Sequence, residues 1–187
     1  MSQRLTKQVP LPSQQDFEAF EGCWDQNEAW QTFGGLTVDE AFLKFRTRPE
    51  LHAEHFAWMG TIAFEFYLPV LDRYLRACLP SDFSPDGEAA LLGDLVYDRI
   101  TQNKVSFSKP TYLLLKALAE TVLTRVPELA TTPRHQKRIR KKWHKVLKRS
   151  PPFEGGAKPR PRGDTPDGGS VGCSSGTIPR RLGSEYW

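Results

Sequence analysis

The stretch LHAEHFAWMGTIAFEFYLPVLDRYLRACL, Leu51 to Leu79, decides the fold, because it is the densest block of large apolar and aromatic residues in the chain. Pro49 suits a first helical turn, where its missing N–H costs nothing, so a helix is expected to open at Pro49 and Glu50. Glu50, Glu54, Thr61 and Glu65 then fall on one narrow strip, at steps of four, seven and four. Leu51, His55, Trp58, Ile62 and Phe66 fall on another, with His52, Phe56, Met59 and Ala63 beside it. This is the pattern of a helix near the middle of a core, with a wide apolar face and an acidic strip. The Pro69 ring clashes with the carbonyl four residues back and offers no donor, so the helix is expected to kink or stop at Leu68. A second helical run follows. Val70, Leu71, Tyr74, Leu75, Cys78 and Leu79 recur at three- and four-residue steps, and Asp72, Arg73 and Arg76 face water.

Upstream, residues 1–12 are polar with two prolines and read as a flexible arm. Ser13 suits a helix cap, and Phe17, Phe20 and Trp24 continue a helical pattern that Gly34-Gly35 breaks. Thr37-Val38-Asp39-Glu40 has the capping-box form, and Val38, Ala41, Phe42 and Phe45 give the apolar face of a short helix ending by Arg48-Pro49. Downstream, Pro80 to Gly87 is a loop, with Ser84-Pro85 as a cap and first turn. Ala89, Leu92, Leu95, Val96 and Ile100 mark the next helix. Ser108-Lys109-Pro110 opens another, which is expected to end before Pro127. Val105-Ser106-Phe107 is the one short stretch with strand-like alternation. The expectation is an all-α fold, a compact bundle of five or six helices over residues 13–130, plus an appended basic C-terminal helix.

Ala63-Phe64-Glu65-Phe66-Tyr67-Leu68-Pro69 resembles the A-F-x-Y-Y-L-P segment of a family of small bacterial proteins of unknown function. Ala63, Phe64, Tyr67, Leu68 and Pro69 carry the resemblance, and Phe66 stands where that family has Tyr. It implies a small bacterial α-helical domain without established catalytic residues.

Composition bounds the rest. At 39% hydrophobic and 11% aromatic, 187 residues suffice for one domain with a sizeable core. No secretory signal and no run of about 18 apolar residues is read, so a cytoplasmic protein without a membrane span is expected. Cys23, Cys78 and Cys173 are odd in number and widely spaced, which argues against a disulfide scaffold or a zinc site. Up to Ala130 there are 12 Lys and Arg against 18 Asp and Glu, a balance of −6; from Thr131 on there are 14 against 4, a balance of +10. The body is acidic and the C-terminal part basic.

Thr132-Pro133 starts a helix in which Thr131 to Ser150 carry nine Lys or Arg and no acid. Its cations are Arg134, Lys137, Arg138, Arg140, Lys141, Lys142, Lys145, Lys148 and Arg149, and Ile139, Trp143, Val146 and Leu147 form a thin apolar seam. Residues 131–150 thus read as a basic helix. Its cations suit a nucleic-acid backbone, and Trp143 suits stacking on a base. An acidic protein groove, with Ile139, Trp143 and Leu147 as anchors, or an anionic membrane surface fits the same helix. The alternative is that the seam docks on the chain's own acidic body. Residues 151–187 are rich in Gly, Pro and Ser without apolar periodicity and read as a disordered tail.

His52 and His55, one helical turn apart beside Glu50 and Glu54, offer half of a metal site or part of a small acid–base enzyme, but the H-E-x-x-H spacing is absent. The better reading packs His55 beside Trp58 at the core rim and leaves His52 partly exposed. Glu65 reads as solvated on the acidic strip, and Trp24 and Trp30 as the aromatics closest to the surface. The chain lacks a Gly-x-Ser-x-Gly elbow, a phosphate-binding Gly loop and a dinucleotide fingerprint, and no cofactor is expected. The leading reading is a non-enzymatic binding protein whose residues 134–149 engage nucleic acid or an acidic partner. An immunity-type protein, binding a toxin through Glu50, Glu54 and Glu65 of its acidic body, is the variant.

Overall fold

The computed structural model describes residues 10–18, 22–77, 85–102 and 106–149, the side chains of 85–87 excepted. The expectations for the arm at residues 1–9, the loop at 80–84, the strand-like Val105 and the tail at 151–187 fall outside them. Every regular element among the described residues is helical: α1 (Gln14–Phe17), α2 (Trp24–Phe33), α3 (Val38–Phe45), α4 (Pro49–Trp58), α5 (Thr61–Ala77), α6 (Pro85–Thr101), α7 (Lys109–Leu129) and α8 (Pro133–Arg149).

Local signals set most helix starts. The Ser13 backbone N–H donates to the Asp16 carboxylate at 2.7 Å, which caps α1. At α3 the Thr37 hydroxyl accepts from the Glu40 N–H at 3.3 Å, while the Glu40 carboxylate accepts from the Thr37 N–H at 2.8 Å. Two orphan donors are satisfied by one four-residue motif. Ser108 caps α7 by accepting from the Thr111 N–H at 3.4 Å, and Thr132 caps α8 by accepting from the His135 N–H at 3.3 Å.

Three boundaries differ from expectation. The first helix divides: α1 ends at Phe17, and α2 starts only after Gly22, whose φ of 77° is a left-handed conformation that glycine adopts without strain. The central block breaks at Met59-Gly60, not at Pro69. There the α1 backbone comes so close that a Cβ on Gly60 would sit 2.2 Å from the Asp16 carbonyl oxygen, and the Gly60 N–H donates to the Phe17 carbonyl at 2.9 Å. This break resets the helical phase. Leu51 and Ile62, expected on one buried face, are 44% and 61% exposed, and Phe56, Met59, Phe64, Tyr67 and Leu68 are fully buried. Pro69 lies inside α5, and Pro127 inside α7. A proline within a helix costs about 3 kcal/mol. Burial of Tyr67, Leu68, Val70 and Leu71, each worth about 1.5–3 kcal/mol, outweighs that cost at Pro69.

Phe33 is the hub of the N-terminal half. Its ring meets Phe56 at 5.3 Å, His52 at 5.4 Å, Tyr67 at 6.0 Å and His55 at 6.1 Å. The buried Tyr67 hydroxyl donates toward the carbonyls of Phe33 and Leu36, at 2.7 and 2.8 Å, and so ties α5 to the end of α2. Burial of this phenol pushes its pKa up to about 12. Arg125 of α7 donates to the Leu75 and Arg76 carbonyls, at 2.5 and 2.6 Å, which satisfies the last turn of α5. In the C-terminal half, α6, α7 and α8 pack together over Leu92, Val96, Leu118, Val122, Ile139 and Trp143, all at most 1% exposed.

Candidate functional site

The seam of α8 faces inward. Ile139, Trp143 and Val146 are fully buried against α6 and α7. The Trp143 indole N–H donates to the Ala89 carbonyl at 2.7 Å. Glycine at position 93 makes room for it, since a Cβ there would sit 2.9 Å from the indole nitrogen. Trp143 is therefore no stacking platform, and Ile139 and Trp143 are no anchors for a partner groove. Their partner is this chain's own α6.

With the seam inside, the cations divide. Lys142 pairs with Asp94 of α6 at 2.5 Å, and the Lys145 ammonium lies over the Tyr97 ring at 5.2 Å. The Asp98 carboxyl is pushed up, first by burial and then by Asp94, with Lys142 and Lys145 pulling it back. Arg138 and Lys142 are half-buried; Arg134, Lys137, Arg140, Lys141, Lys145, Lys148 and Arg149 are exposed. Arg134 to Arg149 span about 22 Å at the helical rise of 1.5 Å per residue. The acidic residues of α6 thus engage the inner flank of α8, and its outer flank presents cations to solvent on a helix held by a buried tryptophan.

His52 is not partly exposed as expected: packed against Phe33, it turns into the core with His55, at 6% exposure each, with their rings 5.5 Å apart. Neither Nδ1 has a hydrogen-bond partner. Burial, then the neighbouring His55, Lys44 and Arg48, lowers the His52 pKa to about 4. The His55 Nε2 lies 4.0 Å from Glu28 Oε1. No group of three or more His, Cys, Asp or Glu able to hold a metal comes together among the described residues.

The expected acidic strip is dispersed. Glu54 is exposed on α4 beside a cleft, and Glu65 is no solvated strip residue: it is half-buried and accepts from the Ser108 N–H at 2.5 Å, at the start of α7. Glu50 couples to Glu88 of α6, which is 2% exposed and accepts from the Tyr74 hydroxyl. Burial and Glu50 push the Glu88 carboxyl up. Cys23 is a free thiol. Trp24 reaches the surface at 71% exposure, whereas Trp30 is half-buried, meeting Phe17 edge-on at 5.3 Å.

Two buried charged residues carry no motif that marks them in the sequence. They are Glu88 and Arg99; Arg99 is 7% exposed, its guanidinium lies over Phe64 at 5.1 Å, and burial lowers its pKa to about 10. Positions 88, 92, 95, 96 and 99 share one helical stripe, so the spacing already placed both on the apolar face of α6. No family model, no curated protein and no solved structure matches this chain.

Proposed function

We propose that the chain is a non-enzymatic binding protein that engages polyanions, nucleic acid foremost, through the outer flank of α8. The observation that carries this reading is the division of α8: its apolar seam is used up in the core, and Arg134, Lys137, Lys141, Lys148 and Arg149 remain exposed along one rigid helix. A preformed row of cations loses little side-chain-bearing backbone entropy on binding, and each phosphate neutralised releases counterions. Recognition on this reading is electrostatic and tolerant of sequence, because among the described residues of α8 no Phe, Tyr or Trp is exposed beside the row.

Fluorescence anisotropy of labelled single- and double-stranded nucleic acid over a salt series tests it. Each phosphate contact contributes about 0.9 to the slope of log affinity against log salt, so the seven exposed cations set a ceiling of about 6. The variant with Gln at 134, 137, 141, 148 and 149 keeps the buried seam and is expected to lose most of that slope at an unchanged melting temperature. Equal binding by this variant and the wild type overturns the reading.

A further inference from the structure

Arg99 belongs neither to the basic flank of α8 nor to the acids that pair with it. On α6 it stands on the buried stripe that Leu92, Leu95 and Val96 fill elsewhere, and it is 7% exposed. Its Nη1 donates to the side-chain carbonyl of Gln102, one turn on, at 3.3 Å. The guanidinium carbon lies 5.1 Å from the centre of the Phe64 ring, and Phe64 in turn meets Phe107 at 5.5 Å. Both rings are buried. Gln102 at one end and an aromatic wall at the face thus hold the guanidinium in place.

The other edge of the group is different. Nε and Nη2 are buried and have no hydrogen-bond partner among the described residues. Their N–H bonds point the same way and form the side edge of the guanidinium, the fork that pairs with both oxygens of a carboxylate. The acids nearest in the chain are engaged elsewhere: Glu65, beside Phe64, accepts from the Ser108 N–H, and Asp98 answers to Lys142 and Lys145 of α8. With its pKa at about 10, Arg99 stays charged at neutral pH. A buried charge without a counter-charge is strongly unfavourable. The Phe64 face attracts the cation but is a weak acceptor, and a water accepts N–H bonds without bringing a charge. What the fork lacks is an oxyanion.

We propose that Arg99 anchors a ligand site for a small organic acid, whose carboxylate takes both N–H bonds of the Nε–Nη2 fork. The apolar body of the acid packs on the Phe64 and Phe107 side, the usual arrangement of one orienting polar group in an apolar wall. A single guanidinium suits a monoanion better than a phosphate group, which carries about 1.5 to 2 negative charges at neutral pH. Gln102, Ser106 and Ser108 are exposed, so the fork lies just below the surface at the end of α6. A small molecule reaches that depth, whereas an acid held on a rigid protein surface does not. The site is separate from the cations of α8, and either reading stands or fails without the other.

Nuclear magnetic resonance of the arginine Nε–H groups in the full chain tests this, with sodium benzoate and sodium acetate as probes and sodium chloride and sodium phosphate as controls at equal ionic strength. Benzoate is expected to move the Arg99 Nε–H signal and to saturate it by about 20 mM, given the roughly 1 mM dissociation constant of so small a ligand. Acetate, with no ring to bury, is expected to act more weakly. At ten times its dissociation constant, benzoate is expected to raise the melting temperature by about 3–6 °C. Arg99→Lys keeps the charge without the fork and is expected to show no such rise. The variant with Gln at 134, 137, 141, 148 and 149 is expected to bind benzoate as the wild type does. The proposal is overturned if neither carboxylate moves the Arg99 signal, which leaves the fork to an acid of the chain itself, or if chloride moves it equally. It is also overturned if phosphate alone saturates the signal, or if the α8 variant loses the effect. The localisation comes from the wild type and stands whether or not Arg99→Lys folds.

Discussion

Replacing Trp143 by Phe separates a docked α8 from an appended one. The indole is fully buried, and its N–H satisfies the Ala89 carbonyl at 2.7 Å. Phenylalanine fits the space but donates nothing, so the Ala89 carbonyl keeps only its bond within α6 and loses this second, buried one, at about 1–3 kcal/mol. The smaller ring forfeits roughly another 1 kcal/mol of apolar burial. The expected loss is about 2–4 kcal/mol, a large share of the roughly 5–15 kcal/mol that holds a domain of this size. In urea, at a slope of about 2 kcal/mol per molar, the midpoint of the 222 nm circular dichroism transition falls by about 1–2 M with an unchanged slope. If α8 were an appended helix with Trp143 in water, the same substitution would stay within about 0.5 kcal/mol. A midpoint that moves by less than about 0.2 M therefore refutes the packing. The same contacts mean that a chain cut after Ala130 uncovers Ala89, Leu92 and Leu118, so charge replacement on the outer flank, not truncation, is the sound binding control.

Tyr67→Phe removes the hydroxyl that serves the Phe33 and Leu36 carbonyls, and is expected to cost about 1–3 kcal/mol by thermal or urea unfolding; a cost near zero would mean that water replaces the phenol there. His52 is held neutral in the fold, with its pKa lowered from 6.5 to about 4, so the native state gives up stability as pH falls from 6.5 toward about 4 and keeps it above 6.5. In urea midpoints measured between pH 7.5 and 4.5, His52→Gln is expected to flatten that limb. The difference from wild type cancels the opposite contribution of Glu88, whose raised pKa costs stability as pH rises above its ordinary 4.5. Parallel pH curves for the two proteins would show that His52 does not titrate with unfolding.

Local rules read well from this sequence wherever the physics is local. The Thr37–Glu40 capping box, the Ser108 and Thr132 caps, and the prolines opening α4 and α8 act within four residues, and each appears where its motif stands. The misplaced boundaries at Gly60, Pro69 and Pro127 share a different cause. At Gly60 the α1 backbone decides, and at Pro69 and Pro127 neighbours packed on both sides hold a helix through a residue that alone would end it. The A-F-x-F-Y-L-P signature reads structurally as core: Ala63, Phe64, Tyr67 and Leu68 are all fully buried.

Charge followed the same division. The chain's acidic body and basic α8, the helical period and the apolar seam at Ile139, Trp143 and Val146 are determined by the sequence alone, since they are properties of spacing and composition. Which way the seam points was decided only in the tertiary structure. A thin stripe of apolar residues suits a partner as well as a core, and only the approach of α6, with a glycine at 93 and a carbonyl at Ala89 to receive the indole, turns it inward. The setting of Arg99 is of the same kind. Phe64 and Arg99 belong to different helices, and no periodicity relates two helices to each other. Their meeting depends on how α5, α6 and α7 pack, a sum of many small contacts that a single element does not encode.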